Sequence, residues 1–210
     1  MNDTEAGNRP AALRHLCERL GLSPDLAYDP KWSAAPDFLE LIVEHALAEK
    51  PRTLVECSSG ATTVMLARCC QLNGLGQLYS LENGPEFAAR TRAELARHGL
   101  TMQATVIDAP LTRQRIGKHE FQWYDIAGLA LPLIDMLVID GPPGFIQPHS
   151  RYPALPRLAD RLASGAAIFL DDAARPDEQA IAADWCRAYP GLAHRHLDNE
   201  RGCAIFRWPS

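Results

Sequence analysis

The hydrophobic pattern changes character at Thr53. Before it, apolar residues recur at helical spacing. Ala11–Leu20 predicts a short helix stopped by Gly21. A longer helix is predicted over 35–48, where Phe38, Leu39, Leu41, Ile42, Val43, Ala46 and Leu47 make one broad apolar face. Residues 23–32 hold two prolines and read as an extended connection between them. From Thr53 onward, short apolar runs alternate with helical patterns. Strands are predicted at Thr53–Cys57, Gln77–Glu82, 102–108, 134–140 and 166–171, and helices at 62–72, 85–98, 151–162 and 177–189. Pro85 opens one of these helices and Gly99 closes it. The chain ends in Ala193–Leu197, a turn, and 203–208, which read as a hairpin.

Strands alternating with helices predict an α/β fold: a mainly parallel, doubly wound sheet with helices on both faces and one antiparallel strand near an edge. Pro and Gly punctuate the whole chain rather than one linker, which predicts a single domain. Residues 1–34 read as a tail, disordered over 1–9, followed by a short helix, and residues 35–210 as the domain itself.

Charge and cysteine content narrow the function classes. Lys and Arg number 21 against 26 Asp and Glu, a net charge of −5, and no basic stripe is visible. That argues against a nucleic-acid partner. The six cysteines form no C-x-x-C pair and read as reduced, mostly buried thiols of a cytoplasmic protein. The N-terminal residues lack a signal-peptide apolar run, and the longest apolar stretches are too short to span a bilayer. The sequence allows a homo-oligomer without pointing to one.

In a sheet of this kind ligands bind beyond the carboxyl ends of the strands. All five predicted parallel strands deliver an acid there: Glu56, Glu82, Asp108, Asp140, and the pair Asp171-Asp172. One such acid is ordinarily a solvated loop residue, but five along one edge form a pattern. The turn after the first strand, Glu56-Cys57-Ser58-Ser59-Gly60, holds one glycine. A dinucleotide's pyrophosphate needs more glycines than that, so the turn argues against NAD. A nucleoside carrying a sulfonium and an amino group, without phosphates, needs fewer glycines and favours acids.

Glu56-x-Ser58-x-Gly60 resembles the E/D-x-G-x-G motif of class I S-adenosylmethionine-dependent methyltransferases, with Ser58 in place of the first glycine. The resemblance covers roughly residue 35 to the C-terminus and implies a seven-stranded sheet of order 3-2-1-4-5-7-6. It implies cofactor contacts from Glu56, Ser58, Gly60, Thr62, Glu82 and Asn83, from Asp108 and Ala109 on the adenine side, and from Asp140. In it, Glu82 corresponds to the ribose-binding acid.

Asp140, Asp171 and Asp172 end two strands that the fold makes neighbours. An all-oxygen cluster suits Mg²⁺. The pattern resembles the cation-dependent O-methyltransferases of the catechol and sugar-modifying types, which implies a metal at these three residues. The alternative is that Asp171 or Asp172 only caps the following turn. Relatives often carry Lys or His three residues after the strand-four acid. Here Pro143 stands there, leaving His149 or Asp140 itself as candidate base. Trp32 and the pair Trp123-Tyr124 are candidate pocket walls, with packing the plainer reading. His194 and His196 share a strand face, but two ligands alone make a weak metal site.

The leading expectation is methyl transfer to an oxygen of a small molecule or glycan, assisted by a divalent cation. A metal-independent methyltransferase, and a non-catalytic module that holds the cofactor or a partner, are the alternatives.

Overall fold

The computed structural model describes residues 10–210; the expected disorder of 1–9 falls outside the described residues. Helices α1 (Ala11–Leu20) and α2 (Pro36–Glu49) precede β1 (Thr53–Cys57), α3 (Ala61–Asn73), β2 (Gln77–Glu82), α4 (Pro85–Arg97) and β3 (Ala104–Asp108). Then come β4 (Leu111–Ile116), β5 (His119–Tyr124), β6 (Ile134–Ile139), α5 (Ala154–Leu158), β7 (Leu162–Asp171), α6 (Pro176–Ala188), β8 (Ala193–Leu197) and β9 (Cys203–Arg207).

Seven strands form one sheet in the order β3-β2-β1-β6-β7-β9-β8. With β4 and β5 set aside, this is the expected 3-2-1-4-5-7-6. β9 runs antiparallel to both β7 and β8, and the other pairings in the sheet are parallel. The central strands are apolar on both faces because both faces are covered. Leu54, Leu78, Met136, Val138 and Phe169 join the core under α1–α4. Val55, Leu81, Leu137, Ile139 and Leu170, one residue out of phase, join the core under α5, α6 and the β4–β5 pair.

The hydrophobic pattern does not announce β4 and β5, a two-stranded antiparallel hairpin closed by Gly117-Lys118 with Gly117 at φ +58°. It buries Trp123 and Tyr124 completely, so this aromatic pair is packing. The helix expected over 151–162 is shorter: it begins at Ala154, and a 3₁₀ turn over Ala159–Arg161 leads into a longer β7. Among the described residues no helix is long and apolar enough to cross a membrane.

Candidate active site

At the carboxyl edge of β1, Glu56 points into the interior, 1% exposed. Thr63 Oγ1 donates to Glu56 Oε2 at 2.7 Å and accepts the Gly60 N–H at 2.9 Å. Thr63 thereby joins the buried acid to the first turn of α3. Burial pushes the Glu56 carboxyl up to about 8, against the opposing hydrogen bonds from Thr63 and Ser80. Ser58 holds φ +99°, a conformation that favours glycine, at the position where the motif has one. Its N–H donates to the Leu81 carbonyl at 2.9 Å, and Ser80 Oγ donates to its carbonyl at 2.6 Å. The loop is pinned between β1 and β2.

Glu82 ends β2. The Ser59 N–H and hydroxyl donate to its Oε2 at 2.9 and 2.8 Å, and the Gly84 N–H donates to Oε1 at 2.8 Å. A carboxylate has about four acceptor positions. One stays open on Oε1, and a second opens if the Ser59 hydroxyl turns to Thr91 Oγ1, 3.1 Å away.

A cleft of about 610 Å³ lies over this edge, walled by Ser58, Ser59, Glu82, Asn83, Asp140 and Asp172 among others. A smaller chamber of about 80 Å³ continues beneath residues 26–34 and reaches Glu56, Gly60 and Thr62. Ser58, Ser59, Trp32, Phe87 and Asp140 border both spaces. Trp32 meets Phe87 at 6.3 Å and Phe145 at 6.1 Å between ring centroids, so three exposed aromatic rings stand at the mouth.

Two expected cofactor contacts are corrected. Asp108 turns outward and pairs with Arg92 at 2.8 Å, because β3 is the sheet's edge strand and α4 offers a cation there. Ala109 is fully buried in the core, its N–H donating to the Glu82 carbonyl at 2.8 Å. Neither lines the cleft or the chamber.

Asp140, Asp171 and Asp172 do converge: each offers an oxygen, and the three oxygens lie within 4.8 Å of one another. The sequence pattern gives no sign of the arginine among them. Arg151, 3% exposed, donates from one terminal nitrogen to the Asp171 carbonyl at 2.8 Å. Its other terminal nitrogen reaches Asp140 Oδ1 at 3.1 Å and Asp172 Oδ2 at 2.7 Å. Its Nε faces Glu178 Oε1 at 3.8 Å, and Arg175 approaches the same Asp172 Oδ2 at 2.8 Å. No local pattern marks Arg151, since its partners come from β6, β7 and α6.

Burial raises the Asp140 carboxyl to about 7, with Arg151 opposing the rise and Asp172 reinforcing it. Burial, then the neighbouring Asp140 and Asp172, hold the Asp171 carboxyl well above the ordinary range. Asp171 Oδ2 and Asp172 Oδ1 are buried without a hydrogen-bond partner among the described residues. Asp140, Asp172 and Glu178 share the guanidinium groups of Arg151 and Arg175. The partnerless oxygens and the all-oxygen donor set fit a divalent cation.

His149 is a further correction: the structure does not bring it to Asp140. Its N–H donates to Asp177 Oδ2 at 2.7 Å and its ring Nε2 lies 3.5 Å from Asp177 Oδ1. Held at both ends by Asp177, it lines a separate cavity beside the β4–β5 hairpin. His194 stacks on Phe206, with ring centroids 4.7 Å apart.

A family model described as a methyltransferase domain matches residues 55–173. No curated protein matches the chain significantly. Among solved structures, the SAH-bound methyltransferase PaMTH1 of Podospora anserina is similar at 15% identity and TM-score 0.68, over 96% of this chain and 89% of that one. An O-methyltransferase from Bacillus cereus in complex with SAH gives 16% and 0.66, over 96% and 92%. TomG of Streptomyces achromogenes, an O-methyltransferase of tomaymycin synthesis in complex with SAM, gives 14% and 0.63, over 97% and 92%. The matched residues run from β1 through the Asp171-Asp172 pair, and the chain belongs to the methyltransferase-domain family, built on the class I methyltransferase fold.

Proposed function

We propose that the protein transfers the methyl group of S-adenosylmethionine to an oxygen of a small molecule or glycan, assisted by a divalent cation. The observation that carries this reading is that Asp140 borders both the chamber at Glu56 and the cleft that holds Asp172 and Arg151. A cofactor seated along Ser58, Gly60 and Glu82 and an acceptor seated over the aspartates would then meet at one residue. Cofactor-bound structural relatives support the choice of cofactor.

Asp140, Asp171 and Asp172 would hold the cation, and a divalent ion there supplies the positive charge that acidifies an acceptor hydroxyl. The protein's own contribution is orientation. Glu82 and the Ser58–Gly60 loop fix the nucleoside, the aromatic rings at the mouth exclude water, and Asp140 stands where the hydroxyl proton leaves. A metal-independent enzyme has one observation in its favour: Arg151 already sets a positive charge against Asp140 and Asp172.

The test is transfer of labelled methyl from S-adenosylmethionine to a panel of phenols, catechols and sugars, with and without chelator. Turnover that stops with chelator and returns with Mg²⁺ is expected. Turnover indifferent to chelator leaves the metal-independent enzyme. Failure to bind S-adenosylmethionine in calorimetry refutes both.

A further inference from the structure

Arg151 is a buried arginine inside a cluster of acids whose chemistry suits a cation, and methyl transfer itself assigns it no task. We propose that Arg151 is the positioning residue of the aspartate cluster, a role that rests on the cation reading of that cluster. One terminal nitrogen takes one oxygen from Asp140 and one from Asp172 while the other holds the Asp171 carbonyl, leaving the aspartates' other oxygens, with Asp171 Oδ2, to face a divalent cation.

Each aspartate divides its two oxygens between protein and site. Asp172 gives Oδ2 to Arg151 and to Arg175, while Oδ1 has no partner among the described residues. Asp171 gives Oδ1 to the Asp172 N–H at 2.8 Å, while Oδ2 likewise has no partner. Asp140 gives Oδ1 to Arg151. A contact at one carboxylate oxygen restrains rotation of the group and so narrows the direction of the other oxygen. The same guanidinium also donates to the Asp171 carbonyl, so one planar group spans the ends of β6 and β7 and fixes their aspartates relative to each other. A lysine ammonium can meet both aspartates, but it has no second nitrogen in the same plane to hold the Asp171 carbonyl.

Charge counting alone predicts the opposite sign. A cation lodged against two ligands repels a second cation, so its removal should tighten metal binding. The two views separate cleanly, because orientation by outer residues typically contributes about ten- to a hundredfold in metal affinity.

The experiment titrates Mn²⁺, as the probe, into the full chain and into Arg151→Lys and Arg151→Met. Affinity is followed by calorimetry, the ligand arrangement by the Mn²⁺ electron paramagnetic resonance signal, and folding by circular dichroism. Both variants are expected to bind Mn²⁺ about ten- to a hundredfold more weakly, with an altered resonance signal. If Arg151→Met does not fold, Arg151→Lys decides, since it keeps the charge and loses only the fork. Unchanged or tighter Mn²⁺ binding in Arg151→Lys overturns the proposal and leaves the cation reading standing. No Mn²⁺ uptake by the unaltered chain overturns the cation reading, and the proposal with it.

Discussion

The two halves of the carboxyl edge use acids in opposite ways. On the β1–β2 side, Glu82 and Glu56 receive hydrogen bonds from neutral donors: Ser59, Gly84 and Thr63. On the β6–β7 side, Asp140 and Asp172 face arginines, and Asp171 and Asp172 each keep one buried oxygen without a partner among the described residues. An acid whose acceptors are answered by backbone and hydroxyl groups shapes a loop. A buried acid left partly unanswered is costly. On the reading proposed above, a cation answers those oxygens. The same residue type therefore shapes a loop on one side, with one Glu82 acceptor left open, and on the proposed reading receives positive charge on the other.

Paired substitutions test whether the halves are separable. Asp171→Asn keeps the shape and removes a carboxyl that a bound cation would ionise. Mn²⁺ affinity is expected to fall by more than about a hundredfold, while calorimetry with S-adenosylmethionine changes by less than roughly threefold. Glu82→Ala is expected to do the reverse, since hydrogen bonds to a charged group contribute about 1.5–3 kcal/mol, or about ten- to a hundredfold in cofactor affinity. If either substitution damages both affinities equally, the edge is one coupled site and the division fails.

A smaller effect concerns pH. The Glu56 carboxyl is raised to about 8 from an ordinary 4.5, so the folded protein keeps a proton that the unfolded chain releases. Unfolding then releases that proton, and stability falls as pH rises from about 4.5 to about 8. Glu56→Gln removes the ionisable group and should flatten that slope, with a difference on the order of a few kcal/mol across the window. Thermal midpoints of both proteins from pH 5 to pH 8 provide the check. Parallel curves would mean that Glu56 is ionised in the fold.

The strand order is legible in the sequence because buried parallel strands are apolar on both faces and each is followed by a helical period. The acids at the strand ends are legible for the same reason, since strand ends fix which residues reach the edge. What escapes the sequence depends on neighbours distant along the chain. Asp108 ends its strand as Glu82 does, but its strand lies at the sheet's edge, where Arg92 of α4 takes it. His149 follows a proline-rich loop whose path is set by Asp177, a residue of α6. Arg151 reads as the start of a helix, because nothing near it announces partners on β6, β7 and α6. The β4–β5 hairpin escapes although Gly117 marks its turn; its strands are half-exposed and carry a weak hydrophobic pattern.

The smallest expected effect tests the loop side alone. Ser58 stands at φ +99° where the family motif has glycine, and it is held by hydrogen bonds to its backbone rather than to its hydroxyl. Holding a non-glycine residue there costs on the order of 1–3 kcal/mol, while glycine adds about 0.5–1 kcal/mol of unfolded-state entropy. Ser58→Gly should therefore stabilise the fold by about 1 kcal/mol, or roughly 2–4 °C in thermal midpoint for a chain of this size. Cofactor affinity should barely move, since Ser80 and Leu81 still hold the loop through its backbone. A lower midpoint would mean that the serine side chain supports the loop by contact. The β1–β2 side would then owe its shape to side-chain packing as well as to the hydrogen bonds around Glu56 and Glu82.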